Sequence, residues 1–184
     1  MRKLENQKQI ILEVTKDLIL NNKYNELSIR KIAKECNISI GTIYNYYNDK
    51  NEIFIDIFKD FWTTFFNGLK NIKVSSDFIK TLDQFNNNLE SISKRFRYEL
   101  LSGFLEKDLL NKGKKLHNEH QLYFVKLIDD LLKNFYIIDD KKRNDLASFI
   151  TKNLIFVIKD ETYSYINFKY QLEIILSTYK KGEL

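Results

Sequence analysis

Apolar residues recur at helical spacing along almost the whole chain. Ile11, Val14 and Leu18 mark a first helix over about 5–21, and Asn21-Asn22-Lys23 is a polar stop. Ser28 and Ser39 stand as N-caps before two short apolar-spaced segments, 28–36 and 39–46. Asn37, between them, sits where a helix ends in the left-handed conformation that Asn tolerates. Asn48-Asp49 breaks the chain again. From Lys50 to about Ile72 the apolar positions come in pairs four apart: Ile53/Phe54, Ile57/Phe58, Phe61/Trp62, Phe65/Phe66, then Leu69. Each step of four turns the stripe by roughly 40°, and four steps turn it by about 160°. Such a helix faces one body at its start and another at its end.

The periodicity restarts beyond Ser75-Ser76-Asp77. Phe78, Leu82, Phe85, Leu89 and Ile92 form one stripe, and Leu100, Leu101, Phe104 and Leu105 predict a shorter helix. Lys112-Gly113-Lys114-Lys115 reads as a junction. A long amphipathic helix follows, with Leu116, His120, Tyr123, Phe124, Leu127, Ile128, Leu131 and Phe135. Two further helices are predicted over about 140–159 and 167–181. Their apolar residues, Leu146, Phe149, Ile150, Leu154, Leu172, Ile175, Leu176 and Tyr179, exceed what one surface needs, and they are assigned to a homodimer interface. The expected fold is all-α, with about nine helices. Residues 1–49 form a three-helix unit, and residues 50–184 form a helical ligand-binding and dimerisation domain.

Composition agrees with helices. The 184 residues include no Pro and only five Gly, too few turn residues for a β-sandwich or barrel. One Cys excludes a disulfide framework, and burial is the expected fate of Cys36. No apolar run approaches the roughly 18 residues of a membrane span. The charged N-terminus lacks a secretory apolar region, so a cytoplasmic protein without a membrane partner is expected. The net charge of +5 is spread evenly: the first 54 residues hold nine Lys/Arg against seven Asp/Glu. A nucleic-acid surface must therefore arise from placement and not from bulk charge.

The placement is in the segment 28–47. Two short helices, a tight turn and a supporting helix on each side make a helix-turn-helix, a reader of the major groove. Ile29, Ile32, Ala33, Ile38 and Ile43 supply its interior, with Tyr47 expected in the core. Ser39, Ile40, Thr42, Tyr44, Asn45 and Tyr46 remain on or near the outer face, and Gly41 allows the backbone a close approach. The order Ser28, Arg30, Ile32, Ala33, Ile38, Ser39, Gly41, Thr42, Ile43, Tyr44, Tyr46, Lys50 and Glu52 resembles the DNA-binding domain of TetR-family transcriptional regulators. The resemblance covers about the first 60 residues. It departs at Val14-Thr15, Lys23, Asn37 and Tyr47, none of which removes a DNA-facing group. It implies phosphate contacts from Ser28, Thr42, Tyr44 and Lys50, with Tyr46 beside them. It implies that Arg30 reaches a phosphate or a guanine edge, and that Ile40 and Asn45 vary with operator sequence. The family would then be that of a dimeric repressor, released from a pseudo-palindromic operator by a small molecule.

In the C-terminal part, Phe61, Trp62, Phe65, Phe85, Phe104, His120, Tyr123 and Phe124 are the expected lining of an effector pocket suited to a neutral or cationic aromatic compound. His117 and His120 are i,i+3 on one helix, but no further metal ligands are nominated, so no metal and no cofactor are expected. No nucleophile–base pair, phosphate loop or paired carboxylate appears, so no enzymatic activity is expected. The alternative is a helical small-molecule-binding or scaffold protein whose N-terminal module is vestigial.

Overall fold

A computed structural model of the chain describes residues 2–21, 27–96, 112–160 and 162–181, the side chains of 2–5 and 112–114 excepted. Helix α1 (Arg2–Leu20) buries Ile11, Leu12, Leu18 and Ile19. Helices α2 (Ile29–Glu35) and α3 (Ile40–Tyr44) begin at the expected caps: Ser28 accepts from Lys31 N at 3.2 Å, and Ser39 accepts from Thr42 N at 3.0 Å. Asn37 takes the left-handed turn between them at φ 54°. Helix α4 (Lys50–Leu69) starts at Asp49, whose carboxylate accepts from Asn51 N and Glu52 N, while Glu52 accepts from Asn48 N at 2.8 Å. These reciprocal bonds satisfy the otherwise orphaned donors of the first turn.

The second half consists of α5 (Phe78–Phe96), α6 (Lys112–Phe135), α7 (Asp140–Val157) and α8 (Tyr165–Leu176). Helix α6 begins at Lys112, inside the segment expected to be a junction. The helix expected around Leu100–Leu105, including Phe104, lies outside the described residues. Helix α8 stops at Leu176, earlier than expected, because the chain leaves for a short antiparallel ribbon. There Tyr136 pairs with Lys181 and Ile137 with Lys180, fastening the C-terminal end to the end of α6.

The turning stripe of α4 does what its spacing requires. Helix α4 packs against α1, α5 and α6. Ile53, Phe54, Ile57, Phe58, Phe61, Trp62 and Phe65 are all buried. The rings form a continuous seam. Phe61 meets Trp62 edge-on at 5.2 Å and Phe96 of α5 at 5.8 Å. Trp62 stacks on His120 of α6 at 5.7 Å, and Phe65 meets Phe124 of α6 at 4.9 Å. Gly68 lets α5 come close: a Cβ there would lie 2.4 Å from Asn88 Oδ1, and Asn88 Nδ2 donates to Phe65 O at 3.0 Å.

Two expectations need correction. Leu146, Ile150, Leu154, Leu172 and Leu176, assigned to a dimer interface, are buried inside the single chain, and Ile175 and Tyr179 are half-buried against the same core. Their spacing marks the face that packs on the chain's own helices. The uncovered apolar residues are Phe149 and Phe156 on α7 and Ile166, Tyr170 and Ile174 on α8, with Ile166 77% exposed. Phe61, Trp62, Phe65 and Phe124, assigned to a ligand pocket, are fully buried core instead.

Truncation separates these roles. Phe65→Ala should cost about 3–5 kcal/mol in urea unfolding, the usual range for a buried ring. Half-exposed Tyr123→Ala should cost less than about 1 kcal/mol.

Candidate nucleic-acid interface

The three-helix unit is held from within by Ile32, Ala33, Ile43 and Tyr47, all buried. Its outer face carries Ser28, Arg30, Ser39, Ile40, Gly41, Tyr44 and Asn45, all exposed, with Thr42 and Lys50 half-buried at its edge. Tyr44 is 54% exposed, and nothing in the core accounts for its position. The Ser39 and Thr42 hydroxyls lie 2.8 Å apart, so one can donate to the other while both retain acceptor capacity for a further donor. Tyr46 differs from the rest of the expected set. It is half-buried, and its hydroxyl donates to Gln7 Oε1 at 2.9 Å, which ties the end of α3 to α1. Cys36 is half-buried. Burial pushes its thiol pKa up and Glu35 adds to this, so no thiolate is favoured there.

The unit is oriented by contacts that the spacing pattern did not disclose. Lys8 of α1 lies 2.7 Å from Asp56 of α4 and over the Tyr47 ring at 5.3 Å. Tyr47 Oη donates to Asp56 at 3.4 Å, and Lys59 donates to it at 3.1 Å. Burial works to raise the Asp56 carboxyl, but the hydrogen bonds from Lys8 and Lys59 prevail and hold it below its usual range. Burial, reinforced by Asp56, pushes the Tyr47 hydroxyl well above its ordinary value. Lys16 is buried between Asp60 at 2.6 Å and Glu13 at 2.8 Å, with its ammonium 5.0 Å from the centre of the Phe96 ring. Two long-range ion pairs therefore join α1 to α4.

Away from this face, a cavity of about 270 Å³ opens beside the far end of α4. Phe66, Val74, Phe85, Tyr123 and Leu131 supply its apolar wall, and Lys70 and Asp130 are its charged groups. Of the residues expected to line a pocket, Phe85 and Tyr123 do so. His120 lies behind them, stacked on Phe66 at 6.2 Å, with Nδ1 2.7 Å from the Leu116 carbonyl oxygen. His117 packs at 5.9 Å from Phe58. Among the described residues no group of three or more His, Cys, Asp or Glu gathers as a metal site.

Residues 11–57 match the family of bacterial regulatory proteins of the tetR type. The N-terminal part of the chain is thus similar to the DNA-binding region of the TetR family. It is 30% identical over 78 residues to the uncharacterized HTH-type transcriptional regulator YuxN of Bacillus subtilis, covering 42% of this chain and 27% of that one. It is 36% identical over 50 residues to the fatty acid metabolism regulator protein of the same organism, covering 27% and 26%. The chain thus matches about a quarter of the length of each of these curated relatives. The fold extends further. A transcriptional regulator from Rhodococcus sp. Rha1 superposes with a TM-score of 0.73 over 94% of this chain and 97% of that one, at 13% identity. The TetR family is one of regulators and not of enzymes. No helix among the described residues is long and apolar enough to cross a membrane.

The Asp56 network predicts acid sensitivity. Because the folded-state pKa is lowered, its contribution is complete above the ordinary carboxylate range and is lost as pH falls through the lower value. Asp56→Asn should cost no more than about 1 kcal/mol at neutral pH, since the site is partly exposed. It should also flatten the loss of stability on acidification, measured by urea unfolding at a series of pH values.

Proposed function

We propose that this protein is a cytoplasmic transcriptional repressor. It binds a pseudo-palindromic operator as a homodimer and leaves it when a small aromatic molecule binds. The supporting observation is the exposed face of α2 and α3: Arg30, Ile40, Tyr44 and Asn45 stand in solvent on a unit whose core of Ile32, Ala33, Ile43 and Tyr47 is buried. A major-groove reader needs this division between an internal core and an outer face of short polar and aromatic groups.

What supports the homodimer lies at the other end of the molecule. Phe149, Phe156, Ile166, Tyr170 and Ile174 expose a large apolar area on α7 and α8. Ile166, Tyr170 and Ile174 are four apart and form one stripe along α8. A second copy presenting the same stripe is the occupant that closed two-fold symmetry provides. Two recognition helices then stand about 34–36 Å apart, one turn of DNA.

The effector would occupy the cavity beside Phe66, Phe85 and Tyr123. Its aromatic wall suits a flat aromatic compound, with Lys70 and Asp130 both at hand for its polar groups. Phe66 stacks on Trp62 at 5.5 Å, so a molecule wedged there presses on α4, the helix that carries the reading unit. To turn occupancy from 99:1 to 1:99, it must favour the released state by about 5.5 kcal/mol.

Three measurements test the reading. Binding to selected duplex DNA should be sequence-dependent and should fall steeply with salt; its absence would return the protein to the class of helical ligand binders. Tyr44→Ala should weaken selected and unrelated DNA alike, because a backbone contact carries no sequence information. Ile174→Asp should give a folded monomer with much weaker operator binding, whereas Ile150→Asp should unfold the chain. A dimer that survives Ile174→Asp and Tyr170→Asp, seen by analytical ultracentrifugation, would remove α8 from the interface.

A further inference from the structure

The reading helix carries no charge. From Cys36 to Asn48 the chain holds no Lys, Arg, Asp or Glu, and this stretch contains all of α3 and the turn before it. Arg and Lys on guanine O6 and N7 are the commonest specific contacts in the major groove, and α3 has neither to offer.

What the first turn of α3 offers is an aliphatic surface. Ile40 is the first residue of the helix and is 40% exposed, while Ile43, on the flank turned toward the core, is buried. Among the described residues nothing covers Ile40. Tyr44, one turn further along the same side, extends the surface. Gly41 is a second observation at the same place. Its backbone is not in the left-handed region, and a Cβ there would meet only Ser39 Oγ, at an ordinary 3.6 Å. Neither conformation nor internal packing calls for glycine at position 41. The benefit of the missing side chain falls outside the protein, where the backbone beside Ile40 can come close to another molecule.

The N-terminal residues of a recognition helix are those that meet base edges. The major groove presents one apolar group, the C5-methyl of thymine. We propose that Ile40 packs on a thymine methyl, with Gly41 giving room for the approach, so that the base pairs beneath the first turn of α3 are A·T. This rests on the DNA-binding reading above and adds the chemistry that the helix recognises.

The test uses the full chain and operators selected from random duplex DNA. Each thymine of a half-site is replaced in turn by deoxyuridine, which deletes the methyl and keeps every hydrogen-bonding group. One position per half-site should weaken binding about fourfold, the effect of one buried methyl-sized group. Ile40→Ala, exposed and so harmless to the fold, should bind the thymine and deoxyuridine operators equally. Circular dichroism and thermal unfolding confirm that the variant is folded. Sequence-selective binding with no methyl-sensitive position, or a methyl effect undiminished in Ile40→Ala, would overturn the assignment and leave DNA binding intact. The absence of any sequence-selective, salt-sensitive binding would overturn the DNA-binding reading itself, and this assignment with it.

Discussion

The aromatic seam along α4 is the constraint on which the remaining structure depends. Its rings are buried on three sides, by α1, α5 and α6. Ring pairs at 5–6 Å in edge and offset arrangements each add about 0.5–1.5 kcal/mol beyond the area they bury. Density of this kind leaves little freedom for small adjustments, because a packed core shifts between discrete arrangements and does not deform smoothly. A helix locked to α5 and α6 at one end and to the reading unit at the other transfers its position from one to the other.

The helices were legible in the sequence because they bury one face at a period of 3.6, and because Ser28, Ser39 and Asp49 cap them with their own side chains. The exposure of Ser39, Ile40, Tyr44 and Asn45 was legible for a related reason: with Ile32, Ala33, Ile43 and Tyr47 placed inside, these four are left facing solvent, whereas Tyr46 is half-buried against α1. The ribbon of Tyr136–Ile137 with Lys180–Lys181 was not legible. Its hydrogen bonds join backbone groups far apart in the chain, and two-residue strands leave no pattern.

The surface of α7 and α8 shows where periodicity misleads. Leu146, Ile150 and Leu154 recur every four residues, as do Leu172 and Leu176, and such stripes are the surfaces a helix buries first, within its own subunit. What the chain's own helices leave uncovered is a second set: Phe149 and Phe156 on α7 and the stripe Ile166, Tyr170 and Ile174 on α8. The same logic separates the core rings from those that line the cavity. Trp62, Phe65 and Phe124 were regular enough to be core, whereas the cavity lies against Phe66 and Tyr123, at the edge of the seam.

The buried Lys16 of α1 and its ion pairs add a constraint to that of the apolar seam. Apolar packing selects among a few discrete arrangements of one helix on another, and a directional polar contact narrows the choice further. Lys16 has its stem inside the protein and its ammonium on Asp60, Glu13 and the Phe96 ring. Such a pair adds little net stability, because desolvation offsets most of the attraction. Its geometric effect is larger, since turning α1 would leave a lysine buried without a partner. Lys8 on Asp56 supplies a second fixed point, and Tyr46 on Gln7 a third. Phe96 is the last residue of α5 and touches both Lys16 and Phe61. The end of α5 therefore bears on the same lysine that sets the angle of the reading unit.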